Sequence, residues 1–464
     1  MLEINFESGL LGGDRKFAGR CVRETLRALN ICMALVVLFP VGLAAQTTSS
    51  GAISTERGMG YGTSVRNPLQ FAGESQPENV VSLSFGASGL YDDNVLSVNS
   101  QRLGDEALSL SPHLSAARQS RNLVLDFNYT PYFLLYRQFS KFDRLNQSAN
   151  LGLEFRVSPR FVVGVSETFG YRYGAYPSLN GADISSGPIS PTDLNGLISP
   201  FTTRTLSNSS GLELTFVKSS RTSVTLSGGY NLSDYANDGG ATASLYDSKG
   251  GYGSVKFNYL PSKHTSLSLR LLHQDSTYEF GSVFNQRTQT ESALFAVESH
   301  LSPTLSVSVN GGPQYVHVLG QSSGVAEGFY GAGGGSITEE LRKTALTVSF
   351  QRSVSDGGGL YATVINNSAM FGVRRRLVGR WETGVHGGVG RARDLVLQAD
   401  NNKTDYLIAG IDFRRPVRNG SELRISYDSM HETYKGGVTS FYGFDRNQVS
   451  VTFDFRLKAI SLGQ

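Results

Sequence analysis

The chain has 464 residues, with 42 Lys+Arg against 39 Asp+Glu, a formal net charge of +3 and a mean hydropathy of −0.18. That balance argues against a nucleic-acid protein, whose footprint is strongly basic, and two cysteines exclude a disulfide scaffold. Aromatic residues at 10% exclude disorder, yet only 39% of residues are hydrophobic and 17% charged, so Phe, Tyr, 53 Gly and small polar residues dominate.

Residues 1–45 read as a signal peptide with an extended basic region. Arg20, Arg23 and Arg27 precede an apolar run from Ile31 to Leu43, and Gly42, Ala44 and Ala45 supply a cleavage site. The run is too short to span a membrane and contains Pro40. Cys21 and Cys32 both lie in this segment, so the mature chain is expected to carry no thiol. That suits an extracytoplasmic compartment and excludes cysteine catalysis. Residues 46–79 are rich in Ser, Thr and Gly without a period, and read as a flexible periplasmic leader.

From Val80 onward the period is two. Leu83, Phe85 and Ala87 alternate with Ser84, Gly86 and Ser88. Leu123, Leu125 and Phe127 alternate with Val124, Asp126 and Asn128; Leu151, Leu153 and Phe155 with Gly152, Glu154 and Arg156. Val449, Val451, Phe453 and Phe455 alternate with Ser450, Thr452, Asp454 and Arg456. One face of each strand is apolar and the other is small, polar or charged. Short turns, such as Ser158–Pro159 and Ser302–Pro303, take turns with longer loops. The pattern blurs over 328–377, around Gly331–Gly335 and Ile365–Met370.

The spacing predicts an all-β fold: a transmembrane antiparallel up-and-down β-barrel of about 18 strands, with 16 as the alternative count. Short turns face the periplasm and longer loops the exterior. The barrel is expected over 80–458 and a short tail over 459–464. The physical reason is that hydrocarbon offers no hydrogen bonds, so every backbone group must be paired internally in a sheet without edges. Tyr91, Tyr132, Tyr136, Tyr171, Tyr230, Tyr259, Tyr315, Trp381 and Tyr427 are expected to form interfacial girdles. A secreted sandwich, solenoid or propeller is the competing reading. The last strand, from Asp445 to Leu457, also looks like an assembly signal, which makes the barrel-assembly machinery an expected partner beside outer-membrane lipid.

No chemistry stands out. The seven histidines have no metal-site spacing, and Gly331–Gly335 and Gly357–Gly359 are not followed by a phosphate-loop helix, so neither a metal nor a cofactor is expected. Strand parity assigns candidate lumen positions. The basic ones are Arg156, Lys256, Arg270, Arg374, Arg414, Arg424 and Arg456; the acidic ones are Asp126, Glu154, Glu213, Glu298, Glu382, Asp412, Asp428 and Asp454. A lining of mixed sign suits either a wet pore or cross-lumen ion pairs. The long loop over 172–202 is a candidate constriction, with Tyr173, Tyr176 and Phe201 as its aromatic members.

The box Tyr91-Asp92-Asp93-Asn94, together with Pro112 amid alternating residues, Tyr129-Thr-Pro-Tyr132 and the Ser158-Pro159-Arg160-Phe161 turn, resembles the outer-membrane β-barrel porin family found with exopolysaccharide gene clusters. The resemblance implies a porin-like barrel in the bacterial outer membrane, with polysaccharide or its export machinery as a partner. It carries no catalytic residues. On the residues alone, the box also fits an Asx-type cap at the end of the first strand. The expected function is a channel for hydrophilic solutes or polysaccharide. The alternatives are a non-conducting barrel that anchors surface polymer and, third, a membrane hydrolase.

Overall fold

The computed structural model describes residues 79–97, 99–140, 143–173, 203–237, 245–280, 284–320, 326–357, 359, 361–395, 402–417, 421–435, 443–457 and 459–461. The predicted signal peptide, leader residues 46–78, Tyr176 and Phe201 lie outside the described residues.

Eighteen long strands follow one another among the described residues. They are β1 (Val80–Asp92), β2 (Asp105–Gln119), β3 (Leu123–Tyr136), β4 (Arg144–Ser158), β5 (Phe161–Tyr173) and β6 (Thr203–Ser219). Next come β7 (Thr222–Asn237), β8 (Asp247–Ser262), β9 (Thr265–Phe280), β10 (Phe284–His300), β11 (Leu305–Gly320) and β12 (Ala326–Leu341). The last six are β13 (Thr344–Gly357), β14 (Tyr361–Arg376), β15 (Glu382–Asp394), β16 (Lys403–Pro416), β17 (Glu422–Lys435) and β18 (Phe444–Arg456). Each pairs antiparallel with the next, and β1 pairs with β18, so the sheet closes. The seam is extended by Ile460–Ser461, opposite Val81 and Val80, so part of the expected tail belongs to the sheet.

The register keeps one parity all the way round. Leu83 stands opposite Leu114, Leu125 opposite Leu153, Phe155 opposite Val163, Phe257 opposite Leu269, and Ile425 opposite Val451. Phe453 then meets Ala87 and returns the row to the first strand. The apolar row faces outward: Val449, Val451 and Phe453 are 45–48% exposed, against 2% for Ser450 and 8% for Thr452 between them. A ring of Phe, Leu and Val turned outward is unstable in water and suited to hydrocarbon. A closed sheet with such an exterior is a transmembrane β-barrel, and its place is the bacterial outer membrane.

The outward row also marks where hydrocarbon ends. On β17 it runs Leu423, Ile425, Tyr427, then Ser429, His431, Thr433 and Lys435, so the strand leaves the apolar band just after Tyr427. The girdle expectation needs one correction. Tyr132 and Tyr136 share the parity of Leu134 and face inward; Tyr136 is buried with Leu90, Val95, Ala107 and Leu134, and Tyr132 packs on that cluster. Their spacing along β3 is odd relative to Tyr129, which flips the face.

Candidate functional site

The inner face is the surface that can meet a solute. Register places all fifteen candidate lumen positions on it: Asp126 on β3, Glu154 and Arg156 on β4, Glu213 on β6, Lys256 on β8, Arg270 on β9 and Glu298 on β10. Arg374 follows on β14, Glu382 on β15, Asp412 and Arg414 on β16, Arg424 and Asp428 on β17, and Asp454 and Arg456 on β18. They are not one constellation. Asp126 accepts from Asn128 on its own strand at 2.6 Å, and Arg270 Nε donates to Ser254 at 3.3 Å.

A dense group gathers on β15–β17. Glu382 stands opposite Arg414, which stands opposite Arg424. Arg414 Nε donates to Asp412 Oδ2 at 2.7 Å, Arg376 Nε to Glu382 at 3.0 Å, and Arg424 lies 3.5 Å from Glu422. His386 Nε2 lies 3.1 Å from Asp428 Oδ1, both nearly buried. Glycines make room for these side chains. A Cβ on Gly410 would collide with His386 and Asp428, and one on Gly384 with Asp412. An opposite charge within contact distance is what each member of such a set requires, because each alone would cost roughly several kcal/mol to desolvate.

A second group joins the two ends of the chain. Asp92 is fully buried and accepts from Arg446 Nε at 2.9 and 3.1 Å, from Arg446 Nη2, and from Gln448 at 3.1 Å. It also accepts the Asn94 N–H at 3.0 Å, the Asx turn expected of the box. Asp93 accepts the Asn447 backbone and side-chain amides, each at 2.7 Å, and pairs with Arg102 at 3.1 Å. Asn94 Nδ2 donates to the Asp445 carbonyl at 2.7 Å. The box therefore clasps the outer ends of β1 and β18. Tyr91 is its outward member, about half exposed. Close by, the Arg144 guanidinium lies 5.9 Å from the Tyr136 ring and 5.1 Å from that of Tyr173, the one described member of the candidate constriction loop. Arg144 and Arg446 share the inward parity of the candidate positions, and parity could have found them, but neither is among the candidates.

The most consequential feature is the hairpin of β13 and β14. β12 and β13 pair only from Gly333–Arg352 to Leu341–Thr344; beyond that point β13 pairs with β14 alone. The freed end folds into the barrel. The Val354 N–H donates to Gln314 on the inner face of β11 at 3.3 Å. The Thr363 hydroxyl lies 2.9 Å from Thr288 and 3.5 Å from Gln286, both on the inner face of β10. Val354 and Ile365 pack on Val316 and Val318. At the tip, Gly359 accepts the Tyr246 N–H at 2.8 Å and holds φ +86° against the Tyr235 ring, a conformation only glycine adopts without strain. Toward the other wall, the Tyr361 hydroxyl lies 3.1 Å from Thr404 on β16, and Tyr361 and Val364 pack with Leu245 and Ala392. The hairpin thus bridges the outer half of the lumen from β10–β11 to β16. Residues 361–366 are buried on both faces. That is why alternation fades there: a strand enclosed on both sides has no reason to alternate.

No family model matches the chain, and no curated protein matches it. It is similar to solved outer-membrane barrels: Pseudomonas aeruginosa OccK2 (OpdF), at 12% identity and a TM-score of 0.43 over 81% of this chain and 98% of that one. For OpdQ of the same organism the values are 12%, 0.40, 82% and 98%; for OccAB4 of Acinetobacter baumannii they are 10%, 0.40, 84% and 100%.

Proposed function

We propose that the protein is a porin-like channel for small hydrophilic solutes across the outer membrane. The observation that carries this reading is the closed barrel whose inner face is lined with Ser, Thr, Asn and paired charges, and whose outer half is narrowed by a hairpin docked on hydrogen bonds from its own wall. A water-filled path tolerates such a lining, and a packed apolar core would not supply it. A lumen bridged from β10 to β16 favours small solutes over a polymer chain, so polysaccharide passage stands on the sequence resemblance alone.

Swelling of proteoliposomes tests the reading. Vesicles holding the folded protein should swell with small sugars such as arabinose and lag progressively with larger oligosaccharides. Equal rates with and without protein would remove the channel reading in favour of an anchoring barrel.

A further inference from the structure

The two rims of the barrel differ in charge. At the end where the chain enters β1 and leaves β18, short turns join the strands, and none of those turns holds Asp or Glu. Every one except 301–304 holds Lys or Arg, among them Arg121, Arg160, Arg221, Lys263, Arg342 and Arg380. The longer connections at the opposite end hold more Asp than Lys and Arg together. Cross-strand pairs toward that end also absorb its exposed bases: Arg137 with Glu106, Lys249 with Glu279, Arg287 with Asp275 and Arg391 with Asp405. On the short-turn rim, Arg160, Arg221, Lys263, Arg342 and Arg380 are exposed, and none has an ion-pair partner among the described residues.

Apolar side chains stand beside these bases. Val157 is 55% exposed three residues before Arg160, Leu341 is 54% exposed next to Arg342, and Val378 is 93% exposed two residues before Arg380. A strand rises about 3.3 Å per residue, so these charges lie within about 10 Å of the apolar band. The polar layer of a bilayer adds about 5–8 Å on each side of the hydrocarbon, so long basic side chains at this rim meet the headgroups. Trp381, the one tryptophan of the chain, sits at the same rim, with the Arg415 guanidinium 5.5 Å from its ring. An amphipathic indole belongs at that depth.

From these placements we infer that the short-turn rim is a docking surface for anionic phospholipid headgroups: its ring of bases gathers net-negative lipids around the barrel in the leaflet that faces the periplasm. The inference goes beyond the channel reading and does not depend on conductance. Exposed charges of one sign repel one another around the rim. A headgroup with net negative charge neutralises them, whereas a zwitterionic one brings its own cation. The interleaved Leu and Val favour a lipid over a soluble acidic partner, because bases beside exposed apolar groups are the composition of a surface that lies in the membrane interface.

The single tryptophan makes the test direct, since Trp381 reports on lipid at this rim alone. The full chain is reconstituted in phosphatidylcholine vesicles that contain a minor fraction of phospholipid brominated on its acyl chains, either phosphatidylglycerol or phosphatidylcholine. Bromine quenches indole fluorescence on contact. The expected result is that brominated phosphatidylglycerol quenches Trp381 at a several-fold lower mole fraction than brominated phosphatidylcholine, and that added salt removes the difference. A variant carrying Arg342→Gln, Arg375→Gln and Arg380→Gln should be quenched equally by the two lipids; Arg375 belongs to the set because it faces outward on β14, opposite Thr344 and Thr383. Lysine at the same three positions should keep the preference. Equal quenching of the wild type by both lipids would overturn the inference and leave the rim to a soluble acidic partner. A preference that survives salt, or a glutamine variant that retains it, would overturn it as well. If the glutamine variant does not fold, the salt response of the wild type and the lysine variant decide.

Discussion

The Asp92–Arg446 pair shows how a short polar box can be structural. Both side chains are buried, at 0% and 3% exposure, and their strands lie at opposite ends of the sequence. Removing one partner leaves an uncompensated buried charge, so Asp92→Ala should cost about 3–5 kcal/mol. It should appear as a lower temperature at which the folded, faster-migrating band is lost on a gel, while Tyr91→Ala on the outer face should change it little. Gly410 offers a second check. A valine there would drive into His386 and Asp428, so Gly410→Val should destabilise the barrel by about 1–3 kcal/mol, read as a lower midpoint in urea. At this scale the sequence was partly legible. Alternation alone places Glu382, Asp412, Arg414 and Asp428 on one face, because period two has only two faces. It does not say that His386 meets Asp428 or that Asp92 meets Arg446. Those contacts depend on which strands become neighbours and at what register, and the Asp92 pair spans 354 residues of sequence.

Among the elements, the β13–β14 hairpin departs most from the regular pattern. Its sequence, Tyr361-Ala-Thr-Val-Ile-Asn-Asn, is neither an alternating strand nor a polar loop. The reason is burial on both faces, against Val316 and Val318 on one side and Ala392 and Leu245 on the other. The expected site of narrowing was the loop at 172–202, chosen for length and aromatic content. Residues 174–202 lie outside the described residues, while the described narrowing belongs to a hairpin with a short tip. The sequence signal that goes with the described narrowing is the loss of alternation over 328–377. Replacing residues 355–362 with a short Gly-Ser turn should leave the barrel folded, because the wall pairing of β13 below Arg352 is untouched, and should raise single-channel conductance several-fold. Ile365→Asn should act in the same direction more weakly, by loosening the contact with Val316 and Val318.

For the whole molecule, low mean hydropathy and membrane residence are the same fact. Only one face of each strand meets lipid, so averaging along the chain conceals a continuous apolar exterior. The strand order and near-constant parity were legible because lipid tolerates no slip: one residue of shift would turn every charge outward. Val451→Arg, on the outer face, should therefore cost about 2–4 kcal/mol and hinder assembly, whereas the same charge in place of inward Thr452 should fold. Recovery of the folded band from detergent is the readout. The central claim is that this barrel conducts through a lumen set by the β13–β14 hairpin. Single-channel recording of the purified full chain beside its hairpin-trimmed form tests it most directly. The expected result is stable conducting steps from the wild type and larger ones from the trimmed form. No conductance from either, with both shown to be folded by their gel mobility, would contradict it.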